Sequence, residues 1–157
     1  MTKEQKAFYG ILAGVINGPE SENTTFTLVE SDEAVFIDNY ETLQLDVDDT
    51  KKFQGKQAVN PQAIIAHFLV EQKEMQKLID GKSYNRAHND DALPAEEKVS
   101  GFKYDRFKNE DRTTTASGNK VTGTYESTYT TGTEERKIIM SVQNSNVINV
   151  AERIIKK

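Results

Sequence analysis

The chain has two histidines, and each stands among residues whose types and spacing could do chemistry. The segment AHFLVEQ, residues 66–72, places His67 and Glu71 four positions apart. On a helix, residues at this spacing lie one turn apart on the same face. His88 follows in a second polar and alanine-containing segment. The spacing predicts either a metal site or a hydrogen-bonded polar pair.

Helical periodicity predicts that these polar side chains face inward. Starting from Ile64, the positions that share one face of the first helix are Ile64, His67, Phe68, Glu71, Gln72, Met75, Leu78 and Ile79. On the second helix the corresponding positions are Tyr84, Ala87, His88, Asp91, Ala92, Ala95 and Val99. Buried ionisable groups are costly unless they are paired or bind a metal. Both histidines therefore need partners.

Two interpretations of this group stay open. Two imidazoles and one or two carboxylates from facing helices could form a zinc site with one open coordination position. Alternatively, they form a polar cluster that joins the helices, with His67 and Glu71 as a local pair. Spacing alone favours the polar cluster, because a His and a Glu four residues apart often occur by chance. The cofactor prediction is therefore none or one zinc ion, held by His67, Glu71 and His88.

Residues 60–101 also resemble a known pattern. AHFLVEQ followed by YNRAHNDDALPAEE is similar to C-terminal domains of bacterial polymorphic toxins and injected effectors. Those zincin-like domains have His-Glu-x-x-Glu on one helix and Tyr-x-x-Ala-His on the next. His67 and Glu71 match the first motif, and Tyr84, Ala87 and His88 match the second. The candidate additional acids are Glu96, Glu97 and Asp91.

One position departs from that pattern. The residue after His67 is Phe68, where metallopeptidases of this type have the glutamate that activates the metal-bound water. Phenylalanine cannot accept a proton. The resemblance thus implies a degenerate site without peptidase activity, and no catalytic residue is predicted.

Composition excludes several other classes of protein. The formal net charge is −5, and the basic residues are scattered among acids, which argues against nucleic-acid binding. The chain has no cysteine, so disulfides and cysteine-based zinc sites are excluded. No apolar run approaches the roughly 20 residues of a membrane-spanning helix.

A further acidic motif consists of Asp46, Asp48 and Asp49. Its spacing favours a strand end and a helix cap over a cation-binding loop.

The predicted fold is α+β, with N-terminal strands, two central antiparallel helices and a C-terminal antiparallel β-meander. We expect one domain over residues 1–157, with the helical pair at 60–101 and the meander at 120–153. A weak helical pattern covers 3–17. Residues 24–30 and 34–39 predict a hairpin, and 43–47 a further strand. The polar stretch 102–119 predicts a long exposed loop.

The first functional expectation is a toxin, effector or injected cargo domain with a degenerate metallopeptidase-like helical pair. Such a domain would have a protein partner, either a delivery system or a neighbouring domain. It would be secreted or injected without a classical signal peptide, or cytoplasmic before delivery. The alternatives are a non-catalytic adaptor domain that binds through its β-meander and an active metal-dependent hydrolase.

Overall fold

The structure is a computed structural model, and it describes residues 1–18, 24–76, 84–108 and 111–156. The helical elements are α1 Lys3–Ile16, α2 Val47–Lys51, α3 Pro61–Gln76, α4 Tyr84–Arg86, a π-helical segment Ala87–Ala92 and α5 Leu93–Ser100. The strands are β1 Thr27–Val29, β2 Asp38–Asn39, β3 Gln44–Asp46, β4 Lys103–Tyr104, β5 Asp111–Ser117, β6 Lys120–Thr130, β7 Glu135–Gln143 and β8 Asn146–Lys156. This mixture of helices and sheets is of the predicted α+β class.

The C-terminal sheet is an antiparallel meander, as predicted. Strands β6, β7 and β8 pair in sequence order, and β4 and β5 both pair with β6. Gly132 has φ 92° in the turn between β6 and β7, a conformation that glycine adopts without steric cost. Thr131-Gly132-Thr133 between two threonine- and isoleucine-containing segments is a hairpin signal in the sequence, and the pairing of β6 with β7 confirms it.

The long loop predicted at 102–119 is wrong over half of its length. Lys103–Tyr104 forms β4, and Asp111–Ser117 forms β5, which pairs with β6 from Asp111 opposite Glu126 to Ser117 opposite Lys120. The threonines of this stretch are β-branched and favour strands, although they are polar. Gly118, with φ 60°, and Asn119 make the tight turn that joins β5 to β6.

The predicted N-terminal hairpin is also wrong. Strand β1 does not pair with β2, because β3 lies between them, parallel to β1 and antiparallel to β2. Residues 34–37 precede the short β2 as an irregular segment with one isolated bridge between Phe36 and Asp38. The strand predicted at 43–47 is present as β3, and the chain turns into α2 at Val47.

The helical pair forms for the local reasons that the sequence indicates. Asn60 caps α3, since its Oδ1 accepts a hydrogen bond from the Ala63 N–H at 2.9 Å. The second helix is interrupted before Pro94, where the Leu93 N–H bonds to the His88 carbonyl in a π-helical step. Proline has no N–H to offer, so a normal helical bond is lost there. The sequence predicts a helix stop at Asp80-Gly81 and a short connection at Gly81-Lys82, and both lie outside the described residues.

The main hydrophobic core joins α3 to both sheets. Phe68, Ile64 and Leu69 of α3 pack with Leu45 of β3 and Ile138 of β7. Helix α1 covers α3 from outside, as the weak helical pattern at 3–17 predicted. Among the described residues, no helix combines the length and apolar character needed to cross a membrane.

Candidate metal centre

Three donor atoms from the helical pair converge on one point. His67 Nε2 lies 3.2 Å from His88 Nδ1, which lies 2.9 Å from Glu71 Oε1, and the third side of the triangle is 3.9 Å. A tetrahedral zinc ion with ligand bonds of about 2.0–2.1 Å has neighbouring ligand atoms about 3.3 Å apart. The triangle therefore has the size of three corners of a zinc tetrahedron. The sequence predicted these three residues.

The antiparallel arrangement of the helices brings the triangle together. Along α3 the order is His67 then Glu71, whereas their partners run in the opposite direction, since Glu71 contacts His88 and His67 contacts Glu96. His88 lies in the π-helical segment, whose wider turn changes the direction of side chains relative to a regular helix. His67 and Glu71 are buried, and His88 is partly exposed.

Glu96 is the outer partner of His67. The His67 Nδ1–H donates to Glu96 Oε2 at 2.8 Å, which leaves Nε2 to face the triangle. Histidines that bind metals usually donate their second ring N–H to a carboxylate or carbonyl, and this contact fixes the ring and its tautomer. Glu96, predicted as a candidate additional acid, is therefore placed to orient a ligand.

Hydrogen bonds alone cannot satisfy the whole triangle. His88 Nδ1 carries either one proton or one lone pair, so it makes one linear hydrogen bond. If it donates to Glu71, it has no lone pair left to accept a hydrogen bond from the His67 Nε2–H. If it accepts from His67, the Glu71 carboxylate faces a bare lone pair. A cation at the centre accepts all three lone pairs at once.

The charge states of the buried pair are strongly shifted. Burial lowers the pKa of His67, but the neighbouring carboxylate of Glu71 and the hydrogen bond to Glu96 outweigh it and raise the value to about 10. Burial raises the pKa of Glu71, but the nearby imidazole of His67 and the hydrogen bond with His88 lower it to about 2. Without metal, His67 is thus a cation at neutral pH, and a metal that binds Nε2 must displace its proton.

Asp38 is the acidic neighbour that the sequence did not reveal. It lines a cavity of about 400 Å³ together with His67, His88 and Glu96. Burial raises the pKa of Asp38 to about 6, with further effects from the charged groups around it. Asp38 is far from the helical motifs along the chain, and its one sequence cue is an acid at the end of the apolar run Ala34–Ile37.

Two buried aspartates hold the segment that carries Asp38. Ile37 has φ 60°, which is strained for a β-branched residue. Its N–H donates to Asp49 Oδ2 at 3.2 Å, and its carbonyl accepts from the Asp46 N–H at 2.8 Å. Asp46 also caps α2 by accepting from the N–H groups of Asp48 and Asp49. The predicted helix cap is confirmed, and it stabilises the wall of the cavity.

Phe68 lies on a different side of α3 from the triangle. It is fully buried and packs edge-on against Phe26, with ring centroids 5.5 Å apart. It lines an apolar groove with Leu12 and Leu45, and it is absent from the cavity beside His67 and His88. The position that would carry the general base of a metallopeptidase is therefore occupied by a core residue.

The remaining predicted residues have separate contacts. The Tyr84 hydroxyl lies 3.4 Å from His88 Nδ1, and its ring stacks on Tyr40. Glu97 Oε1 accepts a hydrogen bond from the Tyr104 N–H at 3.1 Å and so ties α5 to β4. Asp91 is partly buried on the π-helical segment. Neither Glu97 nor Asp91 belongs to the group of three converging ligand atoms.

Comparisons with known proteins assign no family and no function to this site. No protein-family model matches the chain, and neither the curated proteins nor the solved structures gave a match. The toxin and effector resemblance stays a prediction from the motifs around His67 and His88.

Proposed function

We propose that this chain is a metal-binding domain in which His67, Glu71 and His88 hold one divalent ion of the zinc class. The observation that carries the proposal is the triangle of donor atoms, with sides of 3.2, 2.9 and 3.9 Å. Imidazole and carboxylate ligands suit zinc, and three protein ligands leave a fourth position for water or a ligand. Glu96 orients His67 from outside.

The domain acts without peptidase activity. A metal in this position would polarise a bound water or carbonyl group. Phe68 faces the core, so no carboxylate extends from the position next to His67 to take a proton. The site is then a binding site on a metallopeptidase-like helical pair.

The wider role is that of a toxin, effector or injected cargo domain. The residues that support it are His67, Glu71, Tyr84, Ala87 and His88, which match the two motifs of that class. A delivery system or a neighbouring domain is the expected partner. The chain is expected to be secreted or injected without a classical signal peptide, or cytoplasmic before delivery.

A second candidate function is a non-catalytic adaptor domain. It is supported by the exposed hairpin that β5 forms with the first part of β6. It is also supported by Ile154 and Ile155, which are exposed at the end of β8. Exposed strand edges can pair with another chain. In that case the polar cluster only joins two helices, and metal has no effect on the protein.

Calorimetric titration of zinc into EDTA-treated, dialysed protein tests the proposal. We expect one site per chain, and a rise in melting temperature on loading. Glu71→Gln and His88→Gln should abolish the site, and Glu96→Gln should weaken it by about 10–100-fold. Glu33→Gln is the matched control, because Glu33 is exposed and contacts Asn144 in the turn between β7 and β8.

Two outcomes would contradict the proposal. Equal zinc affinity in the wild type and His88→Gln would remove the triangle as the site. Zinc-dependent cleavage of a peptide that is lost in His67→Ala would show that the protein is an active metal-dependent hydrolase and not only a binding domain.

A further inference from the structure

The cavity beside the triangle has apolar walls and an acidic end. It has a volume of about 400 Å³, near the lower end of the roughly 300–1,000 Å³ of small-molecule sites. Phe53, Val59, Leu93 and Ile138 supply apolar walls from four different parts of the chain. Two of the polar side chains that line it are the carboxylates of Asp38 and Glu96. Among the described residues that line it, there is no lysine or arginine.

Glu96 has an unused acceptor atom in this environment. Its Oε2 accepts from His67, but its Oε1 is buried and has no hydrogen-bond partner among the described residues. The whole residue is 7% exposed, so bulk water does not compensate. A buried acceptor without a partner costs free energy, and more so when it belongs to a charged group. A ligand that brings a donor to this atom would recover that cost.

The charge of the surroundings selects the kind of donor. Three carboxylates, from Asp38, Glu71 and Glu96, face two imidazoles, from His67 and His88. In the metal-free protein the His67 Nδ1–H already bonds to Glu96 Oε2, and Oε1 stays unpaired. In a metal-loaded protein His67 keeps its Nδ1–H on the same Oε2. The Glu96 carboxylate therefore has one acceptor atom without a partner in both states, and a cationic donor at this end of the cavity would fit the carboxylate better than a neutral one.

We propose that this cavity binds a small apolar molecule that carries a primary ammonium group, with the ammonium beside the carboxylates of Glu96 and Asp38 and the apolar part against Ile138 and Met140. This goes beyond the metal site and does not require the metal. A free aralkyl amine and the N-terminus of a peptide that begins with an aromatic residue share this chemistry.

Methionine-methyl NMR locates binding of simple probes. The chain has three methionines, of which Met140 lines the cavity, while Met1 and Met75 are absent from its walls. Phenethylamine should shift the Met140 methyl signal in metal-free and in zinc-loaded protein, and it should leave Met1 and Met75 unchanged. It should bind about tenfold or more tightly than phenethyl alcohol, and 3-phenylpropionate should bind least. A Phe-Gly-Gly peptide that also shifts Met140 would assign a peptide terminus as the source, and no shift would assign the free amine.

Variants check the polar end. Glu96→Gln should reduce phenethylamine affinity about tenfold and leave phenethyl alcohol unchanged, whereas Glu33→Gln should alter neither. If Glu96→Gln fails to fold, two other measurements test the proposal. They are the phenethylamine affinity of Asp38→Asn and the affinities of the wild type for the three probes. Equal binding of amine and alcohol, or no change at Met140, would overturn the proposal. Because the first titration uses metal-free protein, this result is independent of zinc binding.

Discussion

Replacing Asp38 by asparagine should stabilise the metal-free protein at neutral pH. Asp38 is partly buried among other acidic groups, and its pKa is raised from 3.8 to about 6, chiefly by burial. A carboxyl group whose pKa is higher in the folded state than in the unfolded state makes the fold less stable once it ionises. Asparagine keeps the shape of the side chain and removes the charge.

The size and the pH window follow from the same shift. The folded state holds the proton to about pH 6, and the unfolded state releases it near 3.8, so the free energy of unfolding falls as pH rises between these values. The full shift corresponds to about 3 kcal/mol, and partial exposure reduces it to about 1–3 kcal/mol. Above about pH 6 the Asp38→Asn variant should be more stable than the wild type by this amount, and below about pH 4 this difference should vanish.

Urea denaturation in EDTA across this pH range measures the effect. Asp48→Asn is a control of opposite sign, because hydrogen bonds from Lys51 and Ser31 lower the pKa of Asp48, and removal of its charge should destabilise the fold above that pKa. Two results would refute this account of the acidic end of the cavity. One is the same difference in the free energy of unfolding between wild type and Asp38→Asn at pH 4 and pH 8. The other is a variant that is less stable than the wild type at both pH values.

Three further predictions concern the helical pair. Phe68→Ala should lower the free energy of unfolding by about 3–5 kcal/mol, because Phe68 is fully buried, and a loss below about 1 kcal/mol in urea denaturation would contradict its place in the core. Asn60→Ala should cost about 1 kcal/mol through loss of the α3 cap, measured as a lower melting temperature; an unchanged value would mean that the cap is not used. Zinc binding should release about one proton from His67, so its association constant should rise about tenfold per pH unit between about pH 7 and 9, and calorimetry in buffers of different ionisation enthalpy should detect that proton.

The sequence predicts the helical pair well, because local rules determine it. Asn60 and Pro61 begin α3, and the inward stripe follows from the 3.6-residue period, which brings His67 and Glu71 to one face. The structure confirms burial for Ile64, His67 and Phe68. Pairing with His88 also follows from the order of the elements, since a short connection favours antiparallel neighbours.

What the sequence misses depends on long-range pairing and on backbone strain. Strand β3 lies between β1 and β2, and no local turn residue encodes that order. Leu43 and Ile37 both have positive φ, in the loops beside β3 and β2. Leucine and isoleucine rarely adopt this backbone conformation, so the sequence does not predict it. Asp38 enters the site only through these loops. The polarity of the threonines in β5 predicts a loop, whereas their β-branching favours the strand that the structure shows.

X-ray absorption at the zinc edge of the loaded protein tests the central claim most directly. The account predicts one retained ion per chain with nitrogen and oxygen ligands at about 2.0–2.2 Å and scattering from two imidazoles. In His88→Gln the scattering of one imidazole should disappear, whereas Glu33→Gln should give the wild-type spectrum. A folded wild-type protein that retains no zinc, or a shell of oxygen ligands without imidazole scattering, would contradict the claim that His67, Glu71 and His88 form a metal site.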